Sequence, residues 1–332
     1  MGRKRKHIEL TGILKDKASI IKAVLTNKRT ISSIKIAILR ATTHTGSTSP
    51  PPEHRLDTIL SLGHDISPHA CACIEAIMDR LHNTQNPCVA LKCLFILHNI
   101  ITSGSFILKE QLSFYPLTGG QNSLKLTRFR NKSNVENLEL SQWVRWYAGV
   151  LERNLITCRV LGCFFTSKSS SSKFHERKIK ENVSKLLDFD FLNEIESLVC
   201  MVEGICGAPE SLHYQKLDLV HELVLMVSED YRYTQYQIMT RLDDLSDKVD
   251  KMSHDDSSEL IRCLKRLEDC RMRLVEMFAN RKRNDAFWDL IGQTKMKLEE
   301  QNEKRERGRV VVWKGTGFGE RVTGTSQVIK LL

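Results

Sequence analysis

Residues 220–252 read VHELVLMVSEDYRYTQYQIMTRLDDLSDKVDKM. Val220, Val224, Val227, Tyr231, Thr234, Ile238, Leu242, Leu245, Val249 and Met252 recur at alternating spacings of about four and three, the period of one helix face. The pattern predicts a single helix of some thirty residues, longer than the ~11–12 residues of an average globular helix. A second helix is predicted after Ser257-Ser258, carrying Leu260, Leu264, Leu267, Leu274 and Met277. The polar stretch Ser253 to Ser258 between them suggests an antiparallel helical pair. Arg241, Arg262 and Arg271 interrupt the apolar pattern, which argues against free coiled-coil dimerisation.

The same period extends toward the N-terminus. From Ile13 to Leu39, Ile13, Ile20, Val24, Ile31, Ile34 and Ile38 fit one face of a helix, with Lys17, Lys28 and Lys35 on another. Gly46 and Pro50-Pro51-Pro52 stop it and require a loop over 41–54. Further helices are expected from near Glu53, over Cys71 to Leu81, from Cys88 to Thr102 after Pro87, and over Ser141 to Phe165. His98 shares the apolar face of the Cys88–Thr102 helix and reads as a core residue, with no neighbouring acid or hydroxyl to activate it. Thr166 to Lys173, with four consecutive serines at 169–172, reads as a linker. After Gly308, the run Val310-Val311-Val312-Trp313 and the spaced glycines 315, 317, 319 and 324 read as a loose tail or an added edge strand.

Composition agrees with a helical reading. There are 7 Pro in 332 residues, and Pro209 is the only one after position 116, which disfavours a loop-rich β-sandwich. A hydrophobic fraction of 41% excludes wholesale disorder. No stretch approaches the ~20 apolar residues of a bilayer-crossing helix. The ten cysteines contain no CxxC pair and read as small core residues of a reduced, cytosolic protein rather than as a zinc or disulfide framework. No paired carboxylates, nucleophile–base set or metal cluster stands at meaningful spacing, so neither catalysis nor a cofactor is expected.

Charge is uneven. Residues 1–40 hold eleven Lys or Arg against Glu9 and Asp16, so they carry +9 of the total +10. A balanced body with one basic end implies an anionic partner. No aromatic residue precedes Phe95, so the stacking platform of a single-strand nucleic-acid binder is missing, and lipid headgroups fit better. A solvated basic face, with Arg3-Lys4-Arg5-Lys6 as a nuclear-targeting or RNA-binding patch, is the competing reading.

Three stretches resemble one family. Leu126-Thr127-Arg128-Phe129-Arg130-Asn131-Lys132-Ser133, followed by Trp143-Val144-Arg145-Trp146-Tyr147-Ala148 and Leu151-Glu152-Arg153, is similar to the signature "LSNFRDKS … (F/W)VRxYAxYLxER" of the ANTH-domain clathrin-assembly proteins related to CALM, in particular their plant members. Ala90-Leu91-Lys92-Cys93-Leu94 through His98 resembles that family's "ALKxLxxxH" helix, and Arg40-Ala41-Thr42-Thr43-His44 its "KATxH" segment. The resemblance implies an all-α right-handed superhelix of paired helices, an ENTH/VHS-like core with a long-helix extension. The corresponding organisation is a basic segment over 1–13, a core over 14–166, a Ser-rich linker over 167–178, an extension over 179–305 and a short tail over 306–332.

It also implies binding of phosphatidylinositol 4,5-bisphosphate, clathrin-coat assembly in endocytosis at the plasma membrane or at the Golgi apparatus, and contact with vesicle SNAREs of the VAMP type. The headgroup site carried over comprises Arg40, His54 and Arg55, with Lys35 and Lys28 nearby. The family's central lysine falls on Pro52, and His54 stands where a fixed charge is expected, so a weaker and less selective site is expected. Leu186-Leu187-Asp188-Phe189-Asp190 has the pattern of a clathrin box, the segment that would meet clathrin heavy chain, but it lies within the domain, where its apolar residues read first as core. The long motif-bearing tail of the family has almost no counterpart. A protein scaffold that has lost lipid binding is therefore a second reading; nucleic acid is not expected.

Overall fold

The computed structural model describes residues 2–25, 29–45, 48–62, 67–115, 124–164, 188–245, 249, 252–278 and 285–315. Among these the elements are α1 (Gly2–Val24), α2 (Arg29–Ala41), α3 (Glu53–Ser61), α4 (Ser67–Asn83), α5 (Pro87–Ser103), α6 (Phe106–Ser113), α7 (Val135–Leu161), α8 (Asp188–Cys206), a 3₁₀ turn (Leu212–Lys216), α9 (Asp218–Leu245), α10 (His254–Met277) and α11 (Asp285–Gly315). The all-α class expected from the sequence is present, and no strand occurs among the described residues.

Each helix packs mainly on its neighbours in the chain: α1 on α2, α2 on α3 and α4, α4 on α5 and α6, α5 on α7, and α7 on α8. One apolar core runs through the stack from Ile34 to Leu298. Two helices form its axis. In α5 every residue from Pro87 to His98 is buried, and in α8 Ile195, Leu198, Val199, Val202 and Ile205 are fully enclosed. The ends of α5 and α7 follow their sequence. Asn86 accepts hydrogen bonds from the Cys88 and Val89 amides at 2.9 and 3.2 Å with Pro87 in the first turn, and Asn134 caps α7 through the Asn137 amide at 2.6 Å. Helix α7 stops at Gly162, whose φ of +65° only glycine adopts without strain.

Several expectations are corrected. The N-terminal helix is two helices: α1 ends at Val24 and α2 begins at Arg29, so Lys17 and Lys35 lie on different helices, and Lys28 lies outside the described residues. Asn27 between them is a weak helix former with a side chain that competes for backbone groups. The basic residues of the 1–13 segment are already helical in α1. The two long helices α9 and α10 do not form a pair of their own; α8 lies between them and both pack chiefly on it. Helix α9 stops at Leu245, before Val249 and Met252. Helix α11 continues through Val310–Trp313 to Gly315, past the boundary expected at 305, because extending a helix already formed fixes only one residue per bond. The expected linker over 167–178 lies outside the described residues.

His98 has acidic and hydroxyl neighbours after all. Its Nδ1 lies 2.7 Å from the Tyr147 hydroxyl, and its Nε2 lies 3.1 Å from Asp230 Oδ2, out of line for a hydrogen bond. Asn154 Nδ2 donates to the same Asp230 oxygen at 2.8 Å. Asp230 comes from α9, 132 positions later in the chain, a neighbour that local spacing does not reveal. Burial, reinforced by the Asp230 charge, pushes the Tyr147 hydroxyl well above its ordinary value. Arg241, read as an interruption, is a buried partner of Glu194, donating from Nε at 2.8 Å and from Nη2 at 2.5 Å.

Candidate functional site

The basic corner forms where α2 ends and α3 begins. Arg40 is exposed on the last turn of α2, and His54 is exposed in the first turn of α3. The Arg55 Nη1 donates to the Arg40 carbonyl oxygen, one of the carbonyls left open at the end of a helix. Two sequence-predicted residues are thus brought into direct contact. Pro52 precedes α3 as its cap with no side-chain acceptor, and its carbonyl receives the amides of Arg55 and Leu56 at 2.9 and 3.2 Å. The first amides of α3 therefore add positive potential to the corner, partly offset by Glu53. Lys35 is half-buried on α2, about 140° around the helix from Arg40 at ~100° per residue, so it does not share this corner.

The loop after α2 is fixed from three sides. Asp16 of α1 accepts the His44 amide at 2.8 Å, the His44 Nδ1 at 2.8 Å and the Arg80 Nη2 at 2.7 Å. Arg80 of α4 also donates to the Thr42 carbonyl at 3.1 Å. Lys92 of α5 reaches the Thr43 and Thr45 carbonyls at 3.0 and 3.3 Å. Burial alone would raise the Asp16 carboxyl, but the hydrogen bonds from His44 and Arg80 outweigh it and hold the carboxyl below its ordinary range. Burial lowers the Lys92 ammonium, and Arg55 adds to this. Gly12 permits the close approach of α1, since a Cβ there would lie 2.8 Å from His44 Cβ. Asp16, Arg80 and Lys92 were not singled out as site residues. The signal for Lys92 was visible: one charge inside the apolar run from Cys88 to Leu97 requires buried acceptors.

Helix α1 carries a second feature that the sequence reading missed. Leu10, Leu14, Ile21 and, just past the helix end, Leu25 lie along one side and are 60%, 64%, 61% and 76% exposed, with Lys17 among them. An exposed leucine is ordinary, but a stripe on one helix face is an unpartnered apolar surface. No helix among the described residues is long and apolar enough to cross a membrane.

The candidate clathrin box does not assemble into a visible site: Leu186 and Leu187 lie outside the described residues, Asp188 and Phe189 open α8, and Asp190 is exposed. All ten cysteines are free thiols, and Cys88 and Cys93, on either side of Lys92 in sequence, are buried in α5. Glu196, Glu259 and Cys263 approach one another within metal-binding range, but Arg266 already donates to both Glu196 oxygens at 2.7 and 2.6 Å and supplies the positive charge.

Comparison with known proteins places this architecture. Residues 33–288 match the family described as the ANTH domain. The chain is similar to three Arabidopsis thaliana proteins bearing the name "Putative clathrin assembly protein". It is 40% identical to At4g40080 over 98% of this chain and 89% of the relative. It is 32% identical to At5g10410 over 89% of this chain and 87% of the relative, and 30% identical to At5g65370 over 86% and 97%.

Proposed function

We propose, because this chain belongs to the ANTH-domain family of clathrin assembly proteins, that it is a non-enzymatic clathrin adaptor which docks on an anionic membrane face through its N-terminal helices. The observation that carries the docking site is the Arg55 guanidinium seated on the Arg40 carbonyl, which sets two cationic residues at one corner while Asp16, Arg80 and Lys92 hold the adjoining loop. A lipid phosphate needs such convergent cationic donors. The ligand favoured is the headgroup of a phosphoinositide, phosphatidylinositol 4,5-bisphosphate by family resemblance. Pro52 and His54 remove fixed charge from the corner, so affinity and selectivity are modest.

The apolar stripe of α1 supports the same reading. Leucine and isoleucine side chains standing out among lysines suit the boundary between headgroups and acyl chains, with the Lys17 stem extending along the apolar face and its ammonium among the phosphates. Clathrin heavy chain and a VAMP-type vesicle SNARE are the protein partners that come with the family resemblance. The working location is the cytoplasmic side of clathrin-coated pits and vesicles, at the plasma membrane or the Golgi.

Sedimentation with phosphatidylinositol 4,5-bisphosphate vesicles, against phosphatidylserine vesicles of equal charge, tests the corner. Wild type is expected to prefer the bisphosphate, and R40E/R55E to lose at least tenfold in affinity, since each basic residue near an anionic leaflet contributes about 1 kcal/mol. Equal binding by wild type and R40E/R55E refutes the assignment of the site.

A further inference from the structure

The segment Leu124–Asn134, between the described end of the α6 region at Tyr115 and α7, contains Lys125, Arg128, Arg130 and Lys132 and no acidic residue. All four are exposed, and none of them has an ion-pair partner among the described residues. The backbone that carries them is held in place. Leu124 is buried, and Leu126 and Phe129 pack on the core. The Asn131 amide donates to Ser141 Oγ at 3.0 Å, the Asn131 side chain donates to the Gln85 carbonyl at 2.9 Å, and Arg145 Nη1 donates to the Phe129 carbonyl at 2.8 Å. Apolar residues therefore anchor the segment from within while the cations stand outward on a fixed scaffold. Beneath it Arg145 is half-buried, with no carboxylate paired to it among the described residues; burial lowers its guanidinium, and Arg130 lowers it further. Glu136, exposed in the first turn of α7, is the acidic residue that follows the segment in the chain.

The strip borders the basic corner. Gln85, which receives Asn131, is in the turn from α4 to α5. Arg80, on the last turns of α4, reaches the Thr42 carbonyl, and Lys92 of α5 reaches Thr43 and Thr45. From Arg80 to Gln85 the chain advances only about 10 Å. The two cationic groups thus flank the same α4–α5 turn at one end of the stack.

We infer that Lys125, Arg128, Arg130 and Lys132 form a second contact with an anionic lipid surface, so that the protein docks at two points on either side of the α4–α5 turn. The inference rests on the docking reading above. Lipid is favoured over nucleic acid because Phe129, the only aromatic residue of the segment, is packed on the core and is not presented for stacking on a base. A bilayer also accepts spaced cations that do not converge on one phosphate. Pre-ordering by the core contacts lowers the entropy cost of contact.

The test uses the full chain, its R40Q/R55Q variant and its K125Q/R128Q/R130Q/K132Q variant, with equal melting temperatures as the folding control. Each is titrated with phosphatidylcholine vesicles with and without phosphatidylserine at several salt concentrations, and with a mixed-sequence DNA duplex. The quadruple variant is expected to bind phosphatidylserine vesicles at least tenfold more weakly, with a shallower salt dependence, at roughly fivefold per basic residue as the upper limit. If it binds like wild type while R40Q/R55Q is impaired, the second contact is overturned and the corner stands. If wild type itself ignores anionic vesicles, the docking reading falls and takes the inference with it. If the four substitutions weaken DNA binding but leave vesicle binding unchanged, the lipid assignment is overturned.

Discussion

Replacing Asp16 by Asn tests whether the loop beside the basic corner is held by charge. The Asp16 oxygens accept from three donors: Arg80 Nη2 at 2.7 Å, His44 Nδ1 at 2.8 Å and the His44 amide at 2.8 Å. An asparagine turned either way places its NH₂ group against at least one of these donors. One charge-assisted hydrogen bond becomes a donor–donor contact and Arg80 loses its counter-charge, at a cost of about 2–3 kcal/mol. With an unfolding entropy near 2.1 cal/mol/K per residue, roughly 0.7 kcal/mol/K for a chain of this length, the melting temperature should fall by about 3–4 °C. The dependence on pH identifies the cause. The folded-state carboxyl lies below its ordinary value of 3.8, so its contribution is fully present above that value and is lost as pH falls through the depressed one. Urea unfolding of wild type and D16N should therefore differ by the full amount from pH 7 to 5 and converge as pH drops below about 3.8. Identical stabilities at pH 7, or a gap that stays constant on acidification, would refute the reasoning.

The Arg241–Glu194 pair inside the second half of the stack has a different signature. Removing one partner, as in E194Q or R241M, leaves a buried charge uncompensated and should cost about 3–5 kcal/mol, whereas the double variant E194L/R241M should lie within about 1 kcal/mol of wild type. Chemical denaturation of the three variants checks this, and additive losses would contradict it. Tyr147→Phe removes the hydroxyl that lies 2.7 Å from His98 Nδ1 and strands a buried ring nitrogen, so a loss of about 1–3 kcal/mol is expected in the same assay.

The fold was legible wherever a helix carries its own period or apolar run, and hidden where an element's place depends on what packs against it. Helices α4, α7, α9 and α10 each show the 3.6-residue period because part of their surface meets water, while α5, enclosed from Pro87 to His98, is marked by its long apolar run after Pro87. Helix α8 was not singled out although its period is present: Ile195, Leu198, Val199, Val202 and Ile205 are enclosed, while Asn193 is exposed and Glu196 and Glu203 are half-buried on its other side. Helices α9 and α10 looked like partners, since two amphipathic helices joined by a short polar stretch suit one another until α8 is placed between them. The candidate site divides along a related line. Arg40 and Arg55 were named from sequence, and their nearness is real, but the charges that shape the corner are the enclosed ones. Asp16, Arg80 and Lys92 come from α1, α4 and α5 and meet at the 42–45 loop only after the chain has folded. A spacing rule finds residues that share one helix; it has no access to residues whose common property is the loop they hold. The family segments make the point in the other direction. Lys92 and His98 of the "ALKxLxxxH" helix are both buried, one fixing the loop and the other joined to Tyr147, so that segment records a packing requirement and not a ligand contact. In Leu126–Ser133, by contrast, the apolar positions pack inward while the cations point outward, so the same eight residues specify both a structural anchor and a surface capable of meeting phosphate.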